Sequence, residues 1–597
     1  MFTIDFQPVG RRGECAGDES LLECARRLNV DIVSICGGAG TCNRCRVEII
    51  SGEVSEQTAE ERSLLSAHEL ERNLRLACRT YPRSDVRVHV PPESLTALQR
   101  TQVEGLELNV EPEPPVQSLD VQPAAPSLGI PESDDQRLWA AMAESYGIPA
   151  GTIDLKVQQS LSPRLRDSDW RVRVALRDRE IVALGAPAAR WLGLAVDIGT
   201  TKIAAYLVDM ESGKTLASKG LMNPQISYGE DVVARISAAG KSPENAAKLQ
   251  ALLVDALNQT AAGLCADTGA NPSDIVEAVA VGNTAIHHLF LRLPVRQLGL
   301  SPYVPAVRST VDVKARDIGL QIAPGGYVHL LPNVAGYVGA DHVAMLLAAG
   351  IAGRKNTVLA IDIGTNTEIC LNHGGRMTSV SCASGPAFEG AHIKYGMRAA
   401  PGAIEHVRLS GGKLEIQTIG GEPPVGICGS GLLDVVAQLR LNSVLDVSGR
   451  MGPHPLVRKR EGSLEFVLVE RPGRDAITVS QKDVRELQLA KAAIRLGVRV
   501  LAETEGLTED RIEEVIIAGA FGTFIDVDSA LIIGMLPALP LERFKQVGNA
   551  AGTGARLALI SRSQRELARE LARRVGYIEL AAIPEFSRKY AAASRIG

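Results

Sequence analysis

Two segments of this 597-residue chain repeat one pattern, an apolar run that ends in Asp-x-Gly-Thr. The first reads Leu194-Ala-Val-Asp197-Ile-Gly199-Thr200-Thr201-Lys202, and the second Leu359-Ala-Ile-Asp362-Ile-Gly364-Thr365-Asn366-Thr367-Glu368. Asp197 and Asp362 lie 165 positions apart. A repeat this long predicts two similar α/β subdomains rather than a solenoid. Each copy reads as a buried strand running into a loop. Glycine lets the backbone come close to a ligand, so that N–H groups face phosphate oxygens. The threonine hydroxyls add donors, and a strand-end aspartate can hold a hydrated Mg²⁺. One such loop is a common turn. Two of them can clamp a triphosphate between subdomains.

The texture from Trp191 onward agrees. Apolar runs at 193–198, 276–282, 358–363 and 515–519 alternate with helical stretches at 246–264 and 484–505, the pattern of buried strands between helices. The run Glu514-Val-Ile-Ile-Ala518 leads into Gly519-Ala520-Phe521-Gly522, a second kind of glycine turn. The P-loop G-x4-G-K-[ST] is absent.

Cysteine is concentrated at the other end. Six of the ten cysteines fall in the first 78 residues. Cys36, Cys42 and Cys45 have the spacing C-x5-C-x2-C, and Cys78 follows after 32 intervening residues. Four thiolates suit a 2Fe–2S cluster, whose plant-type spacing is C-x4-C-x2-C…C. A zinc ribbon wants two C-x2-C knuckles; a zinc site or four reduced structural cysteines is the competing reading. Cys15 and Cys24 have no partners at ligand spacing and read as small buried residues. Around the cluster motif, alternation at 3–9, 46–50 and 86–90 and helical spacing at 20–28 predict a small α+β unit over 1–91.

Residues 92–131 are rich in proline and acid and read as an extended, flexible linker. Residues 132–190 read as a small α+β middle domain, with a helix at 138–146 and strands at 152–158 and 170–176. The part with the repeated α/β pattern then occupies 191–597. Lys plus Arg is 64 against Asp plus Glu 69, which argues against a nucleic-acid binder. No apolar run reaches the ~18 residues of a membrane span. The start Met-Phe-Thr-Ile-Asp-Phe lacks a basic region and a long apolar core, so a cytoplasmic protein is expected.

The cysteine stretch resembles the β-grasp 2Fe–2S ferredoxins, and Arg75-Leu76-Ala77-Cys78 is similar to their adrenodoxin-like branch. The C-terminal part resembles the ATPase superfamily of actin, sugar kinases and heat-shock chaperones. On that resemblance, Asp197, Gly199, Thr200, Thr201 and Lys202 form its first phosphate loop. Asp362, Gly364, Thr365, Asn366, Thr367 and Glu368 form its second. Gly519, Ala520, Phe521 and Gly522 form the adenosine turn, and 281–284 and 548–554 fall at the two connecting segments. Asp197, Asp362 and Glu368 are the implied catalytic acids.

The whole chain resembles the reductive activators of corrinoid proteins. Further similar stretches are Asn223 to Asp231, Gly336 to Asp341, Ser381 to Gly390, and Gly426 to Gly431. That resemblance implies a cytoplasmic ATPase that reduces Co(II) corrinoid to Co(I). The electron would pass through a 2Fe–2S cluster, with ATP and Mg²⁺ as the other cofactors. The implied partners are a cobalamin-binding protein of a methyltransferase system and an upstream reductant, with a homodimer compatible. The alternatives are an activator of the acyl-CoA dehydratase or reductase type, a non-hydrolysing ferredoxin module with a regulatory nucleotide site, and a small-molecule kinase with a redox domain. The dehydratase activators carry a 4Fe–4S cluster between subunits, whereas no C-x-x-C pair lies in this chain's ATPase half.

Overall fold

The computed structural model describes residues 1–7, 11–28, 30, 32, 40–41, 43, 45–91, 94, 110–129, 131–229, 231–390, 392–460, 462–471, 474–519 and 521–597. Cys36, Cys42, Ala520 and most of 92–109 lie outside the described residues.

The N-terminal part is one five-stranded mixed sheet, in the order Arg11–Cys15, Phe2–Gln7, Val86–His89, Arg46–Ser51 and Leu74–Leu76. Phe2–Gln7 pairs parallel with Val86–His89 and antiparallel with Arg11–Cys15. The helix Leu21–Arg27 starts at a capping box, in which Ser20 and Glu23 satisfy each other's backbone N–H groups. Its apolar face, Leu21, Leu22, Cys24 and Ala25, closes a core that also takes in Cys15. Burial of Cys15 and Cys24 agrees with their reading as core residues.

This small core is braced by one buried ion pair. Arg75 Nε and Nη2 donate to Glu61 Oε1 and Oε2 at 2.8 and 2.9 Å. Leu76 N and Thr58 N add bonds to the same carboxylate at 3.0 and 2.9 Å. Burial by itself would raise Glu61. The Arg75 bonds and the backbone donors outweigh it and hold the carboxyl below its ordinary value. The pair fixes the strand that leads into Cys78.

The next unit is a four-stranded sheet, ordered Val116–Val121, Val172–Arg177, Glu180–Gly185 and Thr152–Ile153, with the helices Asp134–Tyr146 and Leu155–Asp167 packed on it. Two expectations change here. Residues 116–121, assigned by composition to the flexible linker, form a strand in register with Val172–Arg177. Their alternation buries Val116, Leu119 and Val121, and that outweighs the flanking prolines. The expected strand at 152–158 is two residues long and then becomes a helix. Asp154 accepts from Lys156 N at 2.9 Å and starts it, and Val157, Leu161 and Leu165 line its buried face.

The remaining chain forms two lobes on six-stranded sheets. In the first, Leu192–Ile198 runs antiparallel to Lys202–Asp209 and parallel to Ile275–Gly282. In the second, Val358–Asp362 runs antiparallel to Thr367–His373 and parallel to Glu514–Ala518. The repeat is therefore a repeat of topology. Between the sheets lie the helices Ala340–Ala348 and Ala550–Ile560, in one core cluster. At Gly554 an added Cβ would lie 2.0 Å from the Ala344 carbonyl oxygen, so only glycine allows this approach. The middle sheet is tied to both lobes through Glu277, which pairs with Arg177 at 3.1 Å and Arg565 at 2.8 Å. Among the described residues no helix is long and apolar enough to cross a membrane.

Glu61→Gln leaves the buried Arg75 guanidinium without its counter-charge. Breaking such a pair costs about 3–5 kcal/mol. The N-terminal part should unfold at lower temperature and lose its iron first, as read from visible absorbance and bound iron on heating. Because Glu61 is held low, the wild-type contribution is present above the ordinary carboxylate value and lost as pH falls through the depressed one. Unchanged melting of that part would contradict the assignment.

Candidate functional site

The two Asp-Gly-Thr loops meet across a cleft between the lobes. Its lining includes Asp197, Gly199, Thr200, Thr201 and Lys202 from the first loop, and Asp362, Gly364, Thr365, Asn366 and Glu368 from the second. Gly519 and Phe521 from the third turn join them. Thr367 and Gly522 do not line it. Thr367 is buried and its hydroxyl is bonded to Ser384 at 2.9 Å, while Gly522 packs against its own strand end at the Ala518 carbonyl.

The loops are held from behind by asparagines on the connecting segments. Asn549 Nδ2 donates to Asp197 Oδ2 at 2.9 Å, and its carbonyl caps the helix Ala550–Ile560. Asn283 Nδ2 donates to Thr200 Oγ1 at 3.0 Å and caps Thr284–Phe290 in the same way. Both helix N-termini thus open toward the cleft, which favours an anion there. His288, one turn past Thr284, donates from Nδ1 to the Thr284 carbonyl and accepts from Ala306 N at Nε2. It positions backbone.

Four carboxylates share the floor. Asp197, Asp341, Asp362 and Glu368 all line the cleft. Enclosure by the protein, reinforced by Asp341, lifts Asp197 to about 7. Enclosure together with Asp341 and Asp197 lifts Asp362 to about 8. Asp341 is raised to about 6, and Glu368 is raised well above its usual range by burial and by Asp341 and Asp362. Such a set repels itself near neutral pH unless a cation or protons offset it. Its oxygen-only donors suit a hard divalent ion such as Mg²⁺.

Asp341 was not among the expected site residues, nor were Glu389, Arg398 and Asn549. Asp341 and Glu389 lie in stretches whose sequences carry a family resemblance, and that was the available signal. Gly519 has φ +91°, and an added Cβ would lie 2.5 Å from Asp362 Oδ1 and from the Ile363 carbonyl. A side chain there would displace the second-loop aspartate. Phe521 stacks on Phe388 with centroids 4.6 Å apart.

In the N-terminal part, Cys45 and Cys78 are buried with their Sγ atoms 3.3 Å apart. Two cysteines separated by 33 positions and brought this close fit shared ligation of one cluster. Cys36 and Cys42 fall outside the described residues. Cys370, Cys382 and Cys428 are buried in the second lobe as expected of core thiols.

Family models match the chain along most of its length. A "2Fe-2S iron-sulfur cluster binding domain" matches residues 4–83, and the "RACo linker region" 105–188. The "RACo middle region" matches 192–354, and the "C-terminal domain of RACo the ASKHA domain" 356–597. The chain is 38% identical over 412 residues to the corrinoid activation enzyme RamQ of Eubacterium limosum, covering 67% of this chain and 69% of that one. It is 25% identical over 414 residues to the [Co(II) methylated amine-specific corrinoid protein] reductase of Methanosarcina barkeri, covering 64% and 72%. A solved structure named reductive activator for corrinoid, iron-sulfur protein superposes with a TM-score of 0.74 at 35% identity, covering 100% of this chain and 98% of that one.

Asp362→Asn should raise the melting temperature of the metal-free protein at pH 8 by about 2 °C or more. The raised carboxyl binds a proton that the unfolded chain has released, so stability falls as pH climbs from near 3.8 to about 8. The gain from the variant should therefore shrink toward pH 5. Calorimetry that finds the variant less stable at pH 8 would refute the repulsion.

Proposed function

This chain belongs to the family of reductive activators of corrinoid proteins, and we propose that it uses ATP to drive one electron onto the cobalt of a partner corrinoid protein. The observation that carries the reading is the union, in one chain, of a cysteine-ligated ferredoxin domain and a two-lobed cleft with duplicated phosphate loops. Its relatives' names, corrinoid activation enzyme and Co(II) corrinoid protein reductase, support the choice of acceptor.

Cys36, Cys42, Cys45 and Cys78 would hold the 2Fe–2S cluster, which supplies one-electron transfer when bound. Plant-type clusters lie near roughly −400 mV. The Co(II)/Co(I) couple is expected to be lower, so transfer runs uphill and needs differential binding of two states. We assign that task to the cleft. Gly199, Thr200, Thr201 and Lys202, with Gly364, Thr365 and Asn366, are proposed to bind the phosphates. Gly519, Ala520 and Phe521 are proposed to face adenosine. Thr367 and Gly522 act from outside the cleft, Thr367 by holding the second loop to Ser384 and Gly522 by closing the third turn. Asp197, Asp362 and Glu368, joined by Asp341, would hold Mg²⁺ and orient water. The proposed parts are a ferredoxin domain over 1–91, a middle unit that starts at Val116, and the ATPase lobes over 191–597.

Cys42→Ala should remove the cluster and abolish Co(II) reduction while leaving nucleotide affinity within about twofold, since the two sites share no ligands. The decisive assay is anaerobic. Protein, a Co(II) corrinoid protein, reductant and ATP are mixed, and the Co(I) absorbance is followed. Absence of Co(I) with every corrinoid partner tried, despite a full cluster, would reject the proposal. Potentiometry should give one cluster midpoint with and without ATP, because neither Cys45 nor Cys78, the described ligands, lines the cleft. An ATP-dependent shift would favour direct gating of the cluster, as in the dehydratase activators.

A further inference from the structure

Two hydroxyls from opposite lobes converge on one carboxylate oxygen. Thr201 Oγ1 donates to Glu389 Oε1 at 2.9 Å, and Thr365 Oγ1 donates to the same atom. The two hydroxyls are themselves 3.1 Å apart. Arg398 Nε stands 3.8 Å from the other carboxylate oxygen. One anionic oxygen held by a hydroxyl from each phosphate loop, with a guanidinium beside it, is the arrangement a terminal phosphoryl group requires. Glu389 already fills it. A terminal phosphate therefore cannot take this pair of hydroxyls without moving Glu389 or the lobes.

Glu389 closes the short turn Pro386–Glu389, and the chain beyond it leads to the N-terminal domain. Seven residues on, the Gly396 carbonyl accepts from Arg11 Nη1 at 2.7 Å, and the neighbouring Val425 carbonyl accepts from Nη2 at 3.3 Å. Arg11 starts the edge strand of the ferredoxin sheet and is buried in this contact. The first lobe has a matching segment. Asn223 N donates to the Thr201 carbonyl and Asn223 Nδ2 to the Gly199 carbonyl, both at 2.9 Å. Four residues later Ser227 Oγ is bonded to His89 Nδ1 at 2.5 Å. Each lobe thus sends one short segment from a phosphate loop to the ferredoxin domain, and the domain sits across both.

We propose that Glu389 is an internal occupant of the terminal-phosphate seat, and that a nucleoside triphosphate, by displacing it, releases the ferredoxin domain from its seat on the two lobes. Two anions cannot share the same pair of hydroxyl donors, so the third phosphate and Glu389 exclude each other. A diphosphate does not reach the seat and leaves Glu389 in place. The residue thereby sets the discrimination between tri- and diphosphate, and couples it to the Arg11 and His89 contacts through backbone only a few residues long. This rests on the reading of the cleft as a nucleotide site and adds which phosphate is sensed and what moves.

The test uses the full-length protein with its cluster, a non-hydrolysable ATP analogue and ADP. Calorimetry on the wild type first establishes binding of both; binding of neither would overturn the nucleotide reading itself. Glu389→Gln keeps the shape and removes the charge. It should raise the ratio of analogue to ADP affinity by about tenfold, since a charge-assisted bond is no longer broken on binding. Small-angle scattering of the wild type, which needs no variant, should show a larger radius of gyration with the analogue and none with ADP. Anaerobic cross-linking of His89→Cys to Ser227→Cys should fall at least about threefold with the analogue alone. An unchanged affinity ratio in Glu389→Gln, or equal effects of analogue and ADP on scattering and cross-linking, would overturn the proposal while leaving nucleotide binding intact.

Discussion

The site depends on a backbone contact between two helices. Ala340–Ala348 and Ala550–Ile560 meet where Gly554 leaves no atoms beyond its Cα, and the Ala344 carbonyl fills the gap. That closeness sets the distance between the lobes. It brings Asp341, at the start of one helix, and Asn549, at the cap of the other, to the same cleft as Asp197 and Asp362. A side chain at Gly554 would clash with the Ala344 carbonyl and push the two helices apart.

Bringing four carboxylates together is unfavourable, and the structure shows what offsets it. Asn549 donates to Asp197, Ser381 donates to Glu368 at 3.2 Å, and two helix N-termini face the opening. Enclosure and mutual repulsion still keep Asp197 and Asp362 raised, to about 7 and about 8. Such a cleft resists closing without a cation or protons, since closure brings the charges nearer. Glu389 is set apart from that floor by its partners, two hydroxyls and a guanidinium.

The ferredoxin part obeys a different economy. Its core is small, and a buried bidentate pair, Arg75 with Glu61, holds the strand before Cys78. It meets the lobes through a few polar contacts, Arg11 on carbonyls and His89 on Ser227. Polar contacts of this sort give orientation and can be exchanged for others. An electron carrier that must leave one seat and reach a partner needs that balance.

The sequence by itself determined the local pieces: strands ending in Asp-x-Gly-Thr, the four-cysteine spacing, the long amphipathic helices and the repeat of Asp197 at Asp362. These are legible because hydrophobic period and glycine position act within a few residues. Tertiary structure decided the rest. Residues 116–121 became a strand because Val172–Arg177, 51 to 61 positions away in register, offered an edge, which outweighed a proline-rich composition. Gly519 guards Asp362 because two loops from different segments touch. Asp341 and Glu389 became part of the site through distance alone, since nothing in a lone Asp or Glu marks it until folding sets other charges and hydroxyls beside it. Local propensity is written along the chain, whereas a shared anion seat exists only where two lobes meet.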